Sequence, residues 1–178
     1  QFSTITFEEE MNTEKYNVID NYLPKNKFLE IKNEIVDNEY FPWYFNNYKS
    51  GKDKNNILDY QLVHNFFKDN VVNSFYFDKL DCLIKRLKIK KLIRVKANLN
   101  PISHKLIKFE KHQDTCEKGF TSAIFYLNTN NGYTKIGNKK IKSIENRIVI
   151  FPSDVYHFGT NATNLSNRVV INFVLRKK

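Results

Sequence analysis

The sequence contains very little cysteine. Its two cysteines, Cys82 and Cys116, lie 34 positions apart (116 − 82) and form no CxxC pair. This excludes a disulfide scaffold and a cysteine-based zinc knuckle. Two isolated thiols suit a reducing compartment, so we expect a cytoplasmic protein, with each cysteine filling space in the core or in a loop.

Long hydrophobic runs are also missing. No apolar stretch approaches the roughly 18 residues of a membrane span. The first ten residues are acidic and lack the apolar segment of a signal peptide. We therefore expect neither a membrane partner nor secretion. Met11 is the only methionine, so we interpret residues 1–10 as a tag or upstream tail and residues 11–178 as a single domain.

The chain has ample material for one folded core. It has 178 residues, of which 41% are hydrophobic and 15% aromatic, so it is globular rather than disordered. The net charge of +10 is compatible with nucleic acid, with an acidic partner or with a solvated basic surface. Because Lys, Asn and Ile are abundant together, as AT-rich codon usage would produce, the solvated surface is favoured.

The hydrophobic pattern predicts helices first and strands afterwards. A strand at 17–23 precedes an amphipathic helix at 25–37, and a second helix is predicted at 73–87. Residues 61–67 are either a strand or the lead-in to that helix. The predicted strands that follow are 92–99, 105–110, 120–127, 133–136, 139–144, 146–151 and 169–175. This order predicts an α+β fold whose main body is a β-sandwich or barrel.

Two stretches before the strands have a less certain role. The aromatic run at 41–45 either packs in the core or forms the wall of a pocket, with Trp43 and Tyr44 as its substrate-facing residues. The polar stretch at 46–60 has the composition of an exposed loop. Within it we expect residues 49–56 to be the lid of a site.

The residues that carry chemistry are His112, Asp114, His157 and Arg168. In an extended segment, side chains two positions apart share a face, so His112 and Asp114 can bind one ion. A second histidine completes a set of two histidines and one carboxylate, which leaves coordination positions open, as non-haem Fe(II) oxygenases require. A guanidinium can neutralise the distant carboxylate of a diacid cosubstrate. His157 follows Asp114 by 43 positions (157 − 114), and Arg168 follows His157 by 11 positions (168 − 157).

With these motifs the sequence resembles the 2-oxoglutarate/Fe(II)-dependent dioxygenases, in particular small prolyl-4-hydroxylase-like members, including phage-encoded ones. The resemblance covers roughly residues 92 to 175. It implies a double-stranded β-helix (jelly-roll) core with N-terminal supporting helices. The matching stretches are His112-Gln-Asp114, Tyr126-Leu-Asn128 with Asn131-Gly132, Asn146-Arg-Ile-Val-Ile-Phe-Pro152, His157-Phe-Gly159 and Asn167-Arg168-Val-Val-Ile-Asn172.

The resemblance also implies a reaction and its cofactors. Fe(II) would be held by the His112, Asp114 and His157 set, with 2-oxoglutarate and O2 as cosubstrates and ascorbate as a reductant. The reaction would hydroxylate a C–H bond, favouring a prolyl or other protein side chain, and release succinate and CO2. A phage-encoded member would act in the host cytoplasm, on a protein or peptide.

Further roles follow from the same resemblance. Arg168 would bind the distal carboxylate of 2-oxoglutarate, with the Tyr126 hydroxyl beside it. Asn98 lies where several prolyl hydroxylases carry a tyrosine and is a second cosubstrate contact, and Asn172 is a weaker candidate. The sequence also has Asn131-Gly132 where many relatives have Gly-Gly.

Other readings stay open. His64 and His104 have no partner pattern and are interpreted as structural. A nucleic-acid-directed oxygenase, such as an oxidative demethylase, rests only on the charge of +10. A non-catalytic jelly-roll binding module is the third reading, and the intact ligand set argues against it.

Overall fold

The computed structural model describes residues 16–47 and 60–178. The expected tail at 1–10, Met11 and the candidate lid at 49–56 lie outside the described residues. Within the described part, no helix combines the length and apolar character needed to cross a membrane.

The N-terminal part supplies a short strand and a helix. Strand β1 (Asn17–Ile19) is followed by helix α1 (Lys25–Ile35), which begins directly after Pro24. The helix buries Phe28, Ile31 and Ile35, whose spacing of three and four residues places them on one face. The predicted helix is therefore confirmed. Strand β2 (Tyr44–Asn46) comes next.

Residues 61–72 form a hairpin. Strand β3 (Gln61–Lys68) turns through Asp69 and Asn70, both at positive φ, into strand β4 (Val71–Val72). Two left-handed residues in a two-residue loop match the twist of the flanking strands. Of the two alternatives for this stretch, the strand is the one that forms.

The helix predicted at 73–87 is two helices. A 3-10 helix spans Phe75–Leu80, and helix α2 spans Asp81–Arg86. The Phe77 amide donates to the Ser74 carbonyl three residues back, which tightens this first turn. The bulky aromatic residues at its start are weak helix formers. This 3-10 helix buries Tyr76 and Leu80.

Seven strands complete the chain. They are β5 (Ile89–Pro101), β6 (Thr121–Tyr126), β7 (Tyr133–Ile136), β8 (Lys139–Lys142), β9 (Ile148–Pro152), β10 (His157–Gly159) and β11 (Asn167–Lys177). A hairpin through Gly137 joins β7 to β8, with Gly137 at φ 51°. The strand predicted at 105–110 is wrong, because among the described residues the only β-pairing of this stretch is the isolated Lys108–Thr160 bridge. Its neighbour β10 is only three residues long and offers no longer ladder.

The strands form two sheets in which every pair is antiparallel. The large sheet has the order β1-β9-β6-β11-β5-β3-β2, with β4 paired to β3. The small sheet has the order β10-β7-β8. Two antiparallel sheets with helices at the N-terminal side form an α+β double-stranded β-helix, which confirms the predicted fold class.

The large sheet separates two apolar clusters. On one face, Ala123 and Phe125 of β6 join the cluster that contains the helices, and the Phe125 ring meets Phe28 edge-on with centroids 6.1 Å apart. On the other face, Ile124 and Tyr126 belong to the cluster between the two sheets. Side chains alternate along each strand. The same alternation therefore decides which residues can reach the space between the sheets.

Candidate metal and cosubstrate site

A cavity of about 160 Å³ opens from the face of the large sheet that lies opposite the helices. Three of its lining residues are His112, Asp114 and His157, and Arg168 lines it as well. The four residues that the sequence analysis selected for chemistry thus share one cavity.

The chain holds the two histidines together through its backbone. The amide of each histidine donates to the carbonyl of the other over 2.9 Å, and the ring centroids lie 4.5 Å apart. The Asp114 amide donates to the Ser153 carbonyl over 3.1 Å. One ligand atom from each of His112, Asp114 and His157 lies within 4.8 Å of the others, which is close enough for a single ion.

Both imidazole rings are oriented by backbone carbonyls. His112 Nδ1 lies 3.1 Å from the Glu110 carbonyl, and His157 Nδ1 lies 3.0 Å from the Val155 carbonyl. Because a carbonyl only accepts, Nδ1 carries the proton in each ring and Nε2 keeps its lone pair. Burial also lowers the pKa of His157, which favours the neutral form that a metal needs.

Asp114 is held as a carboxylate. Its Oδ1 accepts from Arg94 Nη2 at 2.5 Å, and its Oδ2 accepts from the Ser122 hydroxyl at 2.6 Å. Burial alone would raise the pKa of Asp114, but the Arg94 charge, His157 and the Ser122 hydrogen bond lower it below its usual value. The carboxylate Oδ2 lies 3.7 Å from Nε2 of His157. A cation placed between them would replace this contact with two ligand bonds.

Arg168, the second residue of β11, is a buried cation that has no carboxylate partner among the described residues. Its Nε donates to the Ser143 hydroxyl at 2.7 Å, and its Nη2 donates to the Thr134 hydroxyl at 3.0 Å. Thr134 also accepts from the Tyr126 hydroxyl at 2.9 Å, and the Tyr126 ring lies 5.5 Å from the guanidinium carbon. Burial lowers the pKa of Arg168, and no carboxylate among the described residues offsets that effect.

Gly132 is the one glycine of this chain at the position where many relatives have Gly-Gly, and its surroundings leave no room for a side chain. A Cβ at this position would lie 2.6 Å from Cδ of Arg168 and 2.5 Å from the Asn161 carbonyl oxygen. These distances are shorter than real Cβ contacts, so a side chain here would displace the arginine. Asn131, the residue before it, is exposed and bonds Thr163 and Asn164 instead.

Two predicted pocket residues do not reach the cavity. Trp43 packs against the helix-side cluster, with its ring 5.0 Å from that of Phe41. Tyr44 is 61% exposed on β2, the edge strand of the large sheet. The core-packing alternative therefore describes Trp43, and the structure places neither residue beside the cluster of His112, Asp114 and His157.

Of the other residues considered in the sequence analysis, two line the cavity and the rest lie elsewhere in the fold. Asn98 and Asn172 both line the cavity, and the buried Oδ1 atom of each has no hydrogen-bond partner within residues 16–47 and 60–178. His64 is structural: it bonds the Pro42 carbonyl and the Ser74 hydroxyl, both at 2.7 Å. The cavity lining does not include His104, which is exposed. Cys116 is exposed and Cys82 packs at the helix-side cluster.

Sequence reasoning missed two cations of the cavity, Arg94 and Lys96 of β5. They share a face of the strand with Asn98 and Asn100, while Val95 and Ala97 between them face the helices. From Ile93 to Asn100, apolar residues at odd positions alternate with polar residues at even positions, which indicates a different environment on each face of the strand. That alternation was the available signal.

Comparisons with known proteins agree with the geometry at the level of the fold. No protein-family model and no curated protein matches the sequence. Among solved structures, an oxidoreductase of the 2OG-Fe(II) oxygenase family from Burkholderia pseudomallei is similar over 92% of this chain and 86% of that one, with a TM-score of 0.65 and 9% identity. The chain has the fold of the 2-oxoglutarate/Fe(II) oxygenases.

Two other similar structures of this fold are prolyl hydroxylases. A prolyl-4-hydroxylase from Pseudomonas putida matches with a TM-score of 0.59 and 13% identity, over 93% of this chain and 94% of that one. A prolyl hydroxylase from Trichoplax adhaerens, in complex with a peptide fragment of hypoxia inducible factor, matches with a TM-score of 0.56 and 15% identity. That match covers 94% of this chain and 86% of the other.

Proposed function

We propose that the protein is a 2-oxoglutarate- and Fe(II)-dependent dioxygenase that hydroxylates a C–H bond of a protein or peptide side chain. The observation that carries the proposal is the pairing of two features in one cavity. One is the set of His112, Asp114 and His157. The other is the buried guanidinium of Arg168, which has no carboxylate partner in the part of the chain that the structure describes. A purely structural metal site does not require a buried guanidinium such as that of Arg168.

The ligand set fits Fe(II). Two neutral imidazoles and one carboxylate are the donors of the non-haem iron oxygenases, and they leave positions of the ion open. A structural zinc site would be closed by a fourth protein ligand. Within the described residues, the cluster contains three ligands and no fourth. Bound Fe(II) would supply the activation of O2 that couples decarboxylation of 2-oxoglutarate, to succinate and CO2, with hydroxylation of the substrate.

The cation fits the cosubstrate. A guanidinium pairs with a carboxylate through parallel hydrogen bonds. Ser143 and Thr134 fix the Nε and Nη2 atoms of Arg168. Gly159 lies close to the third nitrogen, since a Cβ added to Gly159 would lie 3.5 Å from Nη1 of Arg168. The chain thus holds the guanidinium in one orientation before the diacid arrives. Such preorganisation lowers the entropy lost on binding.

The protein's own share is to bind, orient and exclude water. Arg94 and Ser122 keep Asp114 ionised and fixed, and the Glu110 and Val155 carbonyls keep both imidazole Nε2 atoms directed away from the backbone. These contacts set the geometry of the ligands before the metal binds. The apolar lining residues Ile124 and Val170 reduce the water around the reacting groups.

The choice of a protein or peptide substrate, with proline favoured, is supported by likeness alone. Two of the similar structures are prolyl hydroxylases, and one of them holds a peptide. The low sequence identity means that these neighbours indicate a substrate class to test first.

The test is turnover of 2-oxoglutarate to succinate with Fe(II), measured together with mass spectrometry of proline-containing peptides for the gain of one oxygen atom. We expect succinate formation that requires both Fe(II) and 2-oxoglutarate and that is lost in His157→Ala. His104→Ala is the matched control, since His104 is exposed and outside the cavity lining. Absence of metal binding and of succinate formation in the unmodified protein would refute the proposal.

A further inference from the structure

The cavity carries more positive charge than the metal and cosubstrate explain. Its described lining has three cations, Arg94, Lys96 and Arg168, and one carboxylate, Asp114. Fe(II) and the dianion of 2-oxoglutarate would cancel each other. An excess of two positive charges would then face the substrate.

Of these three cations, Lys96 has the fewest hydrogen bonds and ion pairs among the described residues. Among the described residues its ammonium group has neither a carboxylate partner nor a hydrogen bond, whereas Arg94 is paired with Asp114 and Arg168 is held by two hydroxyls. Lys96 is partly buried, and burial together with the nearby Arg94 charge lowers its pKa to about 8. A cation kept out of water without a partner is costly, so such groups usually serve a ligand.

The strand register separates Lys96 from the cosubstrate end of the cavity. Arg168 pairs across the ladder with Asn100, whereas Lys96 pairs with Asn172, four residues further along both strands. Four residues of strand correspond to roughly 13 Å. Lys96 therefore lies towards the end of the cavity where Arg94 contacts Asp114, one of the proposed metal ligands.

The groups around Lys96 can bind a polar acid. Among the described residues, the buried Oδ1 atoms of Asn98 and Asn172 have no hydrogen-bond donor, and the buried Nε of Arg94 has no acceptor. Ammonium and guanidinium donors bind carboxylate or phosphate oxygens, while amide carbonyls accept from a peptide N–H. Together they form an unfilled set of donors and acceptors beside the metal ligands.

We infer that the substrate is an acidic one: a peptide segment that presents a carboxylate or phosphate group to Lys96, next to the side chain that is hydroxylated. This inference rests on the proposed function and names the substrate class of the same site. A cationic target, such as a lysine-rich segment, would be repelled by the two uncompensated charges.

The test uses one proline-containing peptide scaffold in four versions, in which the neighbouring residue is Asp, phosphoserine, Asn or Lys. Succinate formation, oxygen incorporation and binding to the protein loaded with Mn(II) and 2-oxoglutarate are measured for each. We expect the acidic versions to bind and react about tenfold better than the Asn version, because a hydrogen bond to a charged partner contributes that much. The Asp and phosphoserine arms distinguish carboxylate from phosphate.

Variants assign the effect to the residue. Lys96→Gln should remove the preference, and Lys96→Glu should reverse it towards the Lys version. Lys90→Gln is the matched control, because Lys90 is exposed on the same strand and outside the cavity lining. A preference that survives Lys96→Gln would overturn the inference. So would equal binding of all four peptides, or tighter binding of a single-stranded oligonucleotide than of any acidic peptide.

Two outcomes separate this inference from the function on which it rests. If Lys96→Gln weakens 2-oxoglutarate binding about tenfold in the absence of peptide, Lys96 is a cosubstrate ligand and the inference is wrong while the function stands. If the unmodified protein forms no succinate with Fe(II) and 2-oxoglutarate, the proposed function itself fails.

Discussion

Replacing Lys96 with methionine should make the protein more stable. Methionine has a similar length and no charge, so it can fill the same space against the sheet. The change removes an ammonium group that has no partner among the described residues and that burial destabilises. A residue that costs stability in this way is expected where function requires it.

The magnitude follows from the pKa. Burial and then the Arg94 charge lower the pKa of Lys96 from 10.5 to about 8; the Asp114 charge opposes them, and Lys68 adds a smaller lowering effect. Each pKa unit corresponds to about 1.4 kcal/mol, so the charged side chain costs up to about 3 kcal/mol at pH 7. This cost is fully present below pH 8. It disappears as the pH rises from about 8 towards 10.5, because the folded form releases the proton first.

The assay is denaturant unfolding of metal-free protein at several pH values. Lys96→Met should raise the free energy of unfolding by about 1–3 kcal/mol at pH 7, and its advantage should shrink above pH 8. Lys90→Met, at an exposed position of the same strand, should change it by no more than about 0.5 kcal/mol. A Lys96→Met protein that is less stable than the parent, or whose advantage does not depend on pH, would refute the reasoning.

Three further substitutions test the support of the site. Gly132→Ala should lower the free energy of unfolding by about 1–3 kcal/mol and weaken 2-oxoglutarate binding, because its Cβ would lie 2.6 Å from Cδ of Arg168; a stable variant with normal binding would contradict this. Ser143→Ala leaves Nε of Arg168 without its acceptor, so calorimetry should show a 2-oxoglutarate dissociation constant about tenfold higher, and an unchanged constant would count against it. Ser122→Ala removes a hydrogen bond to Asp114 and should weaken Mn(II) binding about tenfold or more in a metal titration; equal affinity would show that Ser122 does not support the ligand.

The proposed metal ligands and Arg168 could be selected from the sequence by residue type, spacing and the family order that they match. His112 and Asp114 lie two residues apart, and Arg168 directly precedes the strand predicted at 169–175. The pattern predicts no strand at 157–159, so His157 is recognised by its place between them in the order of the resembling family. Strand ends and period-two spacing can be recognised without knowing how the strands pair. The cavity that these residues share is formed by long-range pairing, which the sequence pattern alone does not contain.

Other features depend on that pairing and were therefore missed. The pattern around Lys96 predicts an extended segment, and the role of Lys96 depends on which residues lie against that face of the sheet. The aromatic stretch containing Trp43 could equally line a pocket or pack in the core, and only its contact with Phe41 decides the matter. The stretch at 105–110 alternates like a strand, yet β10 is too short to pair with all of it.

The central claim is that one cavity binds a divalent metal and the distal carboxylate of 2-oxoglutarate. The most direct measurement is calorimetric titration of Mn(II)-loaded protein with 2-oxoglutarate and with 2-oxopentanoate, which lacks the distal carboxylate. We predict that 2-oxoglutarate binds about 100-fold more tightly, and that Arg168→Met removes the difference while Mn(II) binding persists. Equal binding of the two acids by the unmodified protein, or a difference that survives Arg168→Met, would contradict the account.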